Sequence, residues 1–159
     1  MAAEKTNVMR VLDQKKIPYT ALTYPVGDTA PDGVTVAKLT GLDVDTVFKT
    51  LVTAGASKKN YVFVIPVARE LDLKAAAKAV GEKSIAMIKQ SELLPLTGYI
   101  HGGCSPVGMK KALPTVIHSS AEELDAMTVS AGKVGFQVTL SPDALAKLVR
   151  AQFAPICTE

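Results

Sequence analysis

VFKTLVTAGASKKNYVFVIPV, residues 47–67, is the stretch on which the fold class turns. Residues 47–53 and 61–67 are β-branched and aromatic runs, and AGASKKN separates them. Such side chains fit a pleated surface, while Gly, Ser and Asn mark a reversal, so the stretch predicts strand, turn, strand. The connection is longer than the two residues of a tight hairpin. Side chains alternate along a strand, so Phe48 and Lys49 point to opposite faces. Val47, Phe48 and Leu51 then cannot all be buried unless both faces of the sheet are covered. A lysine in such a run either snorkels to solvent from a half-exposed strand or is aimed into a cleft. In a cleft, its ammonium would sit beside a phosphate or a carbonyl, with Thr50 as a hydrogen-bonding neighbour.

Toward the N-terminus, residues 34–39 read as a short helix closed by Gly41, and residues 25–33 (PVGDTAPDG) as a loop dense in turn residues. Residues 19–24 are strand-like behind Pro18. Residues 6–16 form an amphipathic helix, with Val8, Val11 and Leu12 on one face and Thr6 or Asn7 as cap. Toward the C-terminus, residues 73–80 are an alanine-rich helix ending at Gly81, residues 85–88 a short strand, and residues 91–94 a helical turn before Pro95. An apolar strand end at Tyr99 and Ile100 leads into HGGCSPVG, residues 101–108. Residues 115–117 are a strand, SAEE at 120–123 opens a short helix, and residues 128–130 and 136–140 are strands flanking AGKVG. Ser141 caps the last helix, with Pro142 at its first position.

Helices and strands interleave without a strict βαβ rhythm. That predicts an α+β domain with a mixed, strongly curved sheet wrapped by helices. The 159 residues read as one domain, 1–159, which buries roughly two-thirds of its unfolded surface. No internal repeat is present.

Composition narrows the function. Hydrophobic residues are 48% and charged residues 21%, a globular balance without tryptophan. Cys104 and Cys157 are far apart and fit neither a disulfide framework nor a zinc site, which predicts a reduced, cytoplasmic protein. The first residues carry no apolar signal core, and no apolar run approaches a membrane span. Two histidines and no cysteine cluster argue against metal chemistry, and no cofactor motif appears. The net charge of +3 permits phosphate contact but lacks the dense basic footprint of a protein that grips long nucleic acid alone. Few aromatics also argue against a single-strand-binding module, the main non-catalytic alternative.

Two loops join Lys49 as candidates. In GYIHGGCSPVG, residues 98–108, Gly102 and Gly103 expose backbone N–H groups that can hold an ester carbonyl or an oxyanion. The same residues also suit a plain turn before a helix, with Ser105 as cap and Pro106 at the first helical position. SAGKVG, residues 130–135, is either a hairpin turn or a substrate-facing loop. Cys104 is a nucleophile only if a neighbour lowers its pKa, and otherwise a buried inert thiol.

VFKTLV, VIPVARELDLKAAAKAVG, TGYIHGGCSPVGMKKALPTVI and VSAGKVGFQVTLSPDALAKLV together resemble the YbaK/EbsC family, which is similar to the editing domain of bacterial prolyl-tRNA synthetases. The likeness runs over residues 6–151. It implies a barrel-like mixed sheet. It implies hydrolysis of Cys-tRNA(Pro), and more loosely of other Cys-tRNAs, with Ala- or Ser-charged tRNA as the alternative. Its partners would be the aminoacyl-tRNA acceptor end and prolyl-tRNA synthetase, with no membrane. The family's key lysine falls on Lys49 and its glycine loop on Gly102 and Gly103. The candidate substrate-binding residues are Tyr24, Thr50, Ser105, Ser130 and Gln137, of which the resemblance carries Tyr24, Thr50 and Ser130. Gln137 stands where some members carry aspartate, His118 where an acidic residue is common, and TAPDGV lacks a pocket phenylalanine. The family's mechanism is substrate-assisted: the cysteinyl thiol attacks its own ester, and the resulting cyclic thioester leaves the tRNA free. Some members are therefore classed as lyases.

Overall fold

The computed structural model describes residues 5–27 and 31–158. The region read from the sequence as strand, turn, strand is β2 (Phe48–Gly55) and β3 (Asn60–Pro66), paired antiparallel with Lys49 opposite Ile65 and Thr53 opposite Tyr61. β3 continues in parallel to β5 (Thr115–His118), and β5 in parallel to β8 (Gln152–Ala154). On the other side β2 meets β4 (Ile85–Met87) only at Thr53, Ala54 and Gly55. These five strands form one mixed sheet in the order β4-β2-β3-β5-β8. A second, antiparallel sheet has the order β1-β7-β6, with β1 Tyr19–Thr23, β6 Met127–Ser130 and β7 Phe136–Leu140.

Both faces of the large sheet are covered, as the run at Val47 requires. Val62 and Val64 face the main core, which also takes Val129 and Val138 of the small sheet, Val8 and Leu12 of α1 (Asn7–Gln14), and Leu145 of α5 (Pro142–Val149). Phe63 and Ile65 face the other way, onto Ala76 and Ala77 of α3 (Leu73–Val80) and onto Ile156. All four β3 side chains are fully buried. Caps follow from sequence. Thr6 Oγ1 accepts from Met9 N–H (3.3 Å), Asp72 from the first amides of α3, and Ser141 Oγ from Ala144 N–H (3.3 Å). Gly41 and Gly81 end α2 (Gly33–Thr40) and α3 with left-handed φ.

Four expectations need correction. The sheets neither close nor curl strongly, so the architecture is α+β but not barrel-like; the two sheets meet through an isolated bridge, Val47 with Thr128. α4 (Gln90–Thr97) runs through Pro95 instead of stopping before it. Pro95 is exposed, so the Ser91 carbonyl it leaves unbonded faces water, and the stop comes at Gly98 (φ +84°). Residues 98–114 hold no strand and no helix: Ser105 and Pro106 do not begin one. The short helix at SAEE is present but is a 3₁₀ helix, Ser119–Glu123, that starts one residue before Ser120. The sequence reading also passed over β8. Its C-terminal continuation is pinned by Asp72 N–H to Ile156 O (2.7 Å) and Thr158 N–H to Glu70 O (2.9 Å).

The β2–β3 turn is locked by one carboxylate. Glu82 accepts from Ser57 Oγ–H, from Ser57 N–H (3.1 Å) and from Tyr61 O–H (2.7 Å), resting where a Cβ on Gly55 would lie. These donors, Ser57 first, hold the Glu82 carboxyl below the ordinary glutamate range. A depressed folded pKa stabilises above the unfolded pKa, and that stability is lost as pH falls through the folded value. Glu82→Gln should therefore lower Tm at pH 7, with the gap from wild type narrowing as both are melted at progressively lower pH below about 4.

Candidate active site

The bridge between Val47 and Thr128 is the apex of a wedge. Beyond it β2 and β6 part: β6, paired with β7 along its whole length, carries Ser130 opposite Gln137, while β2 runs on to β4. The opening is a cleft of about 460 Å³. That is the size of a small-molecule site, too small for an RNA helix but sufficient for one terminal nucleotide and its substituent. Because it opens along the edge of β2, residues from both faces of that strand line it: Phe48, Thr50 and Val52 from one, Lys49 and Leu51 from the other. The start of α2 closes one side, with Gly33 packed on Val67 so tightly that a Cβ would lie 2.4 Å from Val67 Cγ1. Ile88, Lys89, Gln90 and Leu93 close the opposite side.

Of the residues singled out in the sequence, Lys49, Gly102, Tyr24, Thr50, Ser130 and Gln137 line this one cleft. Gly103 and Ser105 do not. Gly103 N–H is committed to Ile100 O (3.0 Å), closing a turn in which Gly102 has φ +86°. That is the glycine position of a type II turn. A Cβ on Gly103 would sit 3.1 Å from Val134 N, so Gly103 serves to let the two loops touch. Of the two glycines, Gly102 is therefore the one that lines the cleft. Ser105 is fully buried, and its Oγ accepts from Val107 N–H (3.3 Å). The loop it shapes is anchored by Tyr99, whose O–H donates to Val107 O at 2.5 Å.

Tyr24 is set by its N–H to Gly135 O (3.0 Å), which extends the β1–β7 pairing. Ser130 Oγ accepts from Gly132 N–H (3.2 Å), and Ala131 N–H donates to Phe136 O (3.0 Å). SAGKVG is thus both a hairpin connection and, through Ser130, part of the cleft wall. Two side-chain oxygens in the wall, Thr50 Oγ1 and Gln137 Oε1, are buried with no hydrogen-bond partner among the described residues. Buried polar atoms are nearly always paired, so these two acceptors are exceptions that lie in one wall.

Among the described residues, the cleft carries cationic Lys49 and Lys89 and one carboxylate, Asp32. Asp32 accepts from Thr35 N–H (2.8 Å) as the cap of α2, and that bond holds its carboxyl below the ordinary aspartate range. Cys104 also lines the cleft, but burial pushes its thiol up to about 12. A thiol so protonated at neutral pH is no nucleophile. His118 is elsewhere: its Nδ1 accepts from Ile156 N–H (3.2 Å) and its Nε2 lies 2.9 Å from Arg69 Nη1. It anchors the C-terminal segment. Of TAPDGV, Thr29 and Ala30 lie outside the described residues. The sequence reading missed Asp32, Lys89 and Gln90, and no local spacing signals them, because they reach the cleft only through the packing of α2 and α4. Among the described residues, no three His, Cys, Asp or Glu side chains are grouped to hold a metal ion, and no helix is long and apolar enough to cross a membrane.

A family model of the aminoacyl-tRNA editing domain matches residues 28–148. The chain belongs to that family. A protein of Enterococcus faecalis (strain ATCC 700802 / V583), provisionally named Cys-tRNA(Pro)/Cys-tRNA(Cys) deacylase EbsC, is 44% identical over 156 residues, 98% of this chain and 95% of that one. Among solved structures, one described as a provisional trans-editing enzyme for prolyl tRNA synthetase superposes with a TM-score of 0.81 at 22% identity, over 98% of this chain and 100% of the other. A second, the hypothetical protein APE2540, gives 0.86 at 19%, over 96% and 100%. At those identities the two structures establish the editing-domain fold.

The Cys104 pKa has a direct consequence. In the native protein at pH 7.5, iodoacetamide should alkylate Cys104 far more slowly than an ordinary exposed thiol, with the rate rising about tenfold per pH unit through the alkaline range. Peptide mass mapping of the alkylated protein checks this, and rapid neutral labelling of Cys104 would contradict it.

Proposed function

We propose that this chain is a trans-editing deacylase that removes cysteine from mischarged Cys-tRNA(Pro), and more loosely from other Cys-tRNAs. The observation that carries the reading is the single cleft lined by Lys49, Gly102 and Ser130, whose own thiol is held protonated. A site furnished to hold an acyl ester but lacking a competent nucleophile suits a substrate that brings its own.

In this mechanism the cysteinyl sulfur attacks its ester carbonyl. The S–C bond forms, the C–O bond to the ribose breaks, and the thiol proton ends on the departing ribose oxygen. Water then opens the cyclic thioester to free cysteine. The protein's part is orientation, which converts a loose encounter into an attack from a held geometry worth several kcal/mol. Gly102 N–H supplies charge stabilisation at the carbonyl oxygen. Lys49 anchors the terminal adenosine's phosphate or polarises the ester. Tyr24, Thr50, Ser130 and Gln137 line the acyl pocket, while Gly103 and Ser105 act only by shaping the loop.

Only the acceptor end fits a 460 Å³ cleft. With a net charge of +3, tRNA selectivity would come from acting beside prolyl-tRNA synthetase. The named relatives support the substrate class, since one carries a Cys-tRNA deacylase name and the other a trans-editing description. Ala- and Ser-charged tRNAs are the competing substrates, because a pocket separates side chains differing by one small group only weakly.

Lys49→Ala should lower deacylation of Cys-tRNA(Pro) by about a hundredfold or more while leaving Tm near wild type. Cys104→Ala should retain most activity. A side-by-side assay with Cys-, Ala-, Ser- and Pro-charged tRNA(Pro) reads both variants. Full activity of the Lys49 variant, or a folded but dead Cys104 variant, would overturn the mechanism.

A further inference from the structure

The edge of β2 inside the cleft is an unused strand edge. The phase of the β2–β3 ladder is fixed at both ends, by Val67 N–H to Val47 O (2.9 Å) and by Gly55 N–H to Lys59 O (2.9 Å). Odd-numbered residues of β2 therefore direct their main-chain groups to β3, and even-numbered residues direct theirs away. Of the even ones, Ala54 pairs with β4, and Val52 O accepts from Ile88 N–H (3.3 Å). β6 reaches only the Val47 bridge. Thr50 falls in the gap between these two coverings, and both its N–H and its C=O face the cleft without a partner strand. Unpaired edges are sites of strand addition.

An aminoacyl ester carries the donor and acceptor of one peptide residue. Its α-ammonium and its carbonyl oxygen flank one carbon, as N–H and C=O flank Cα. We propose that the aminoacyl group docks on Thr50 as a single residue of an antiparallel ladder. The α-ammonium donates to Thr50 C=O, and Thr50 N–H donates to the ester carbonyl. This rests on the deacylase reading and names the group that the site reads. The two orphaned oxygens fit the same ligand. Gln137, 6% exposed, offers Oε1 as an acceptor without a donor, and Thr50 Oγ1 is equally unpartnered. An ammonium group brings three N–H donors, enough for Thr50 C=O and these two acceptors. The recognition is blind to the amino-acid side chain and demands a free α-ammonium. It also makes Thr50 N–H a second donor to the carbonyl oxygen that gains charge as the ester is attacked.

Two measurements test this. The first compares enzymatic rate enhancement, each corrected for its uncatalysed rate, on the cysteinyl and 3-mercaptopropionyl esters of the same tRNA. The des-amino ester keeps the thiol and the ester, so the substrate-assisted chemistry survives. Its kcat/KM should fall by about tenfold or more, the value of one charge-assisted hydrogen bond. Equal enhancement would overturn the docking. The second replaces Thr50 by its α-hydroxy acid, which deletes the N–H and keeps the side chain. Deacylation should drop by about a hundredfold with Tm near wild type. An active, folded hydroxy-acid variant overturns the proposal. Should the wild-type protein cleave neither ester, the deacylase reading itself has failed. The docking is then decided by ¹⁵N NMR with a cysteinyl amide of 3′-amino-3′-deoxyadenosine. A downfield shift at Thr50 but not at Thr53 supports it, and no shift at Thr50 rejects it.

Discussion

Two sheets that share a bridge at Val47 and Thr128, and then separate, create the cleft. β6 is paired with β7 along its whole length, the bridge residue Thr128 included, and β2 takes β4 on the edge facing the cleft from Thr53 onward. Between those pairings a few residues of β2 have a strand on one side only. Every other part of the site is placed relative to that interval. α2 and α4 wall it in, and the glycine loop closes over it. The main core lies directly behind it, with Phe48 and Val52 buried against the small sheet's Val129 and Val138.

The chemistry of the cleft follows from the same arrangement. Residues on both faces of β2 reach the opening, so an ammonium group, a hydroxyl and apolar surface coexist within one short run. The thiol that lines the cleft is on the core side of the loop, and burial keeps it protonated. The loop's rigidity comes from Tyr99, from the turn at Gly102 and from the close approach of Gly103 to Val134. Gly103 and Ser105 thus hold the loop's shape, Cys104 packs into the core, and Gly102 is the glycine that lines the cleft. This division is typical of a preorganised site, in which supporting groups outnumber those that touch the substrate.

Family membership and geometry bear on different questions. The editing-domain match and the 44% identical relative establish lineage. They do not say which main-chain groups remain unpaired or why Ser105 is silent. In this chain Ser105 Oγ accepts from Val107 N–H, whereas Thr50 Oγ1 has no partner among the described residues.

Most of the elements, and several of their ends, are legible in the sequence. Alternation and β-branching mark β2 and β3, the Ala-rich run between Asp72 and Gly81 marks α3, and Ser141 with Pro142 starts α5. These are local preferences, set by side-chain shape and by the few residues that tolerate a cap or a left-handed turn. The motif residues Lys49, Thr50 and Gly102 were legible for the same reason, since each stands in a distinctive local pattern. Only the tertiary structure decided that the sheets part instead of closing, because closure depends on pairings between strands some eighty residues apart, such as Val47 with Thr128. It alone showed that Pro95 is tolerated, that β8 completes the large sheet, and that Asp32 and Lys89 face the cleft. It also reassigned Gly103 and Ser105 to the scaffold. A side chain's local pattern states what it can bond; which partner reaches it first is settled by the packing of distant segments.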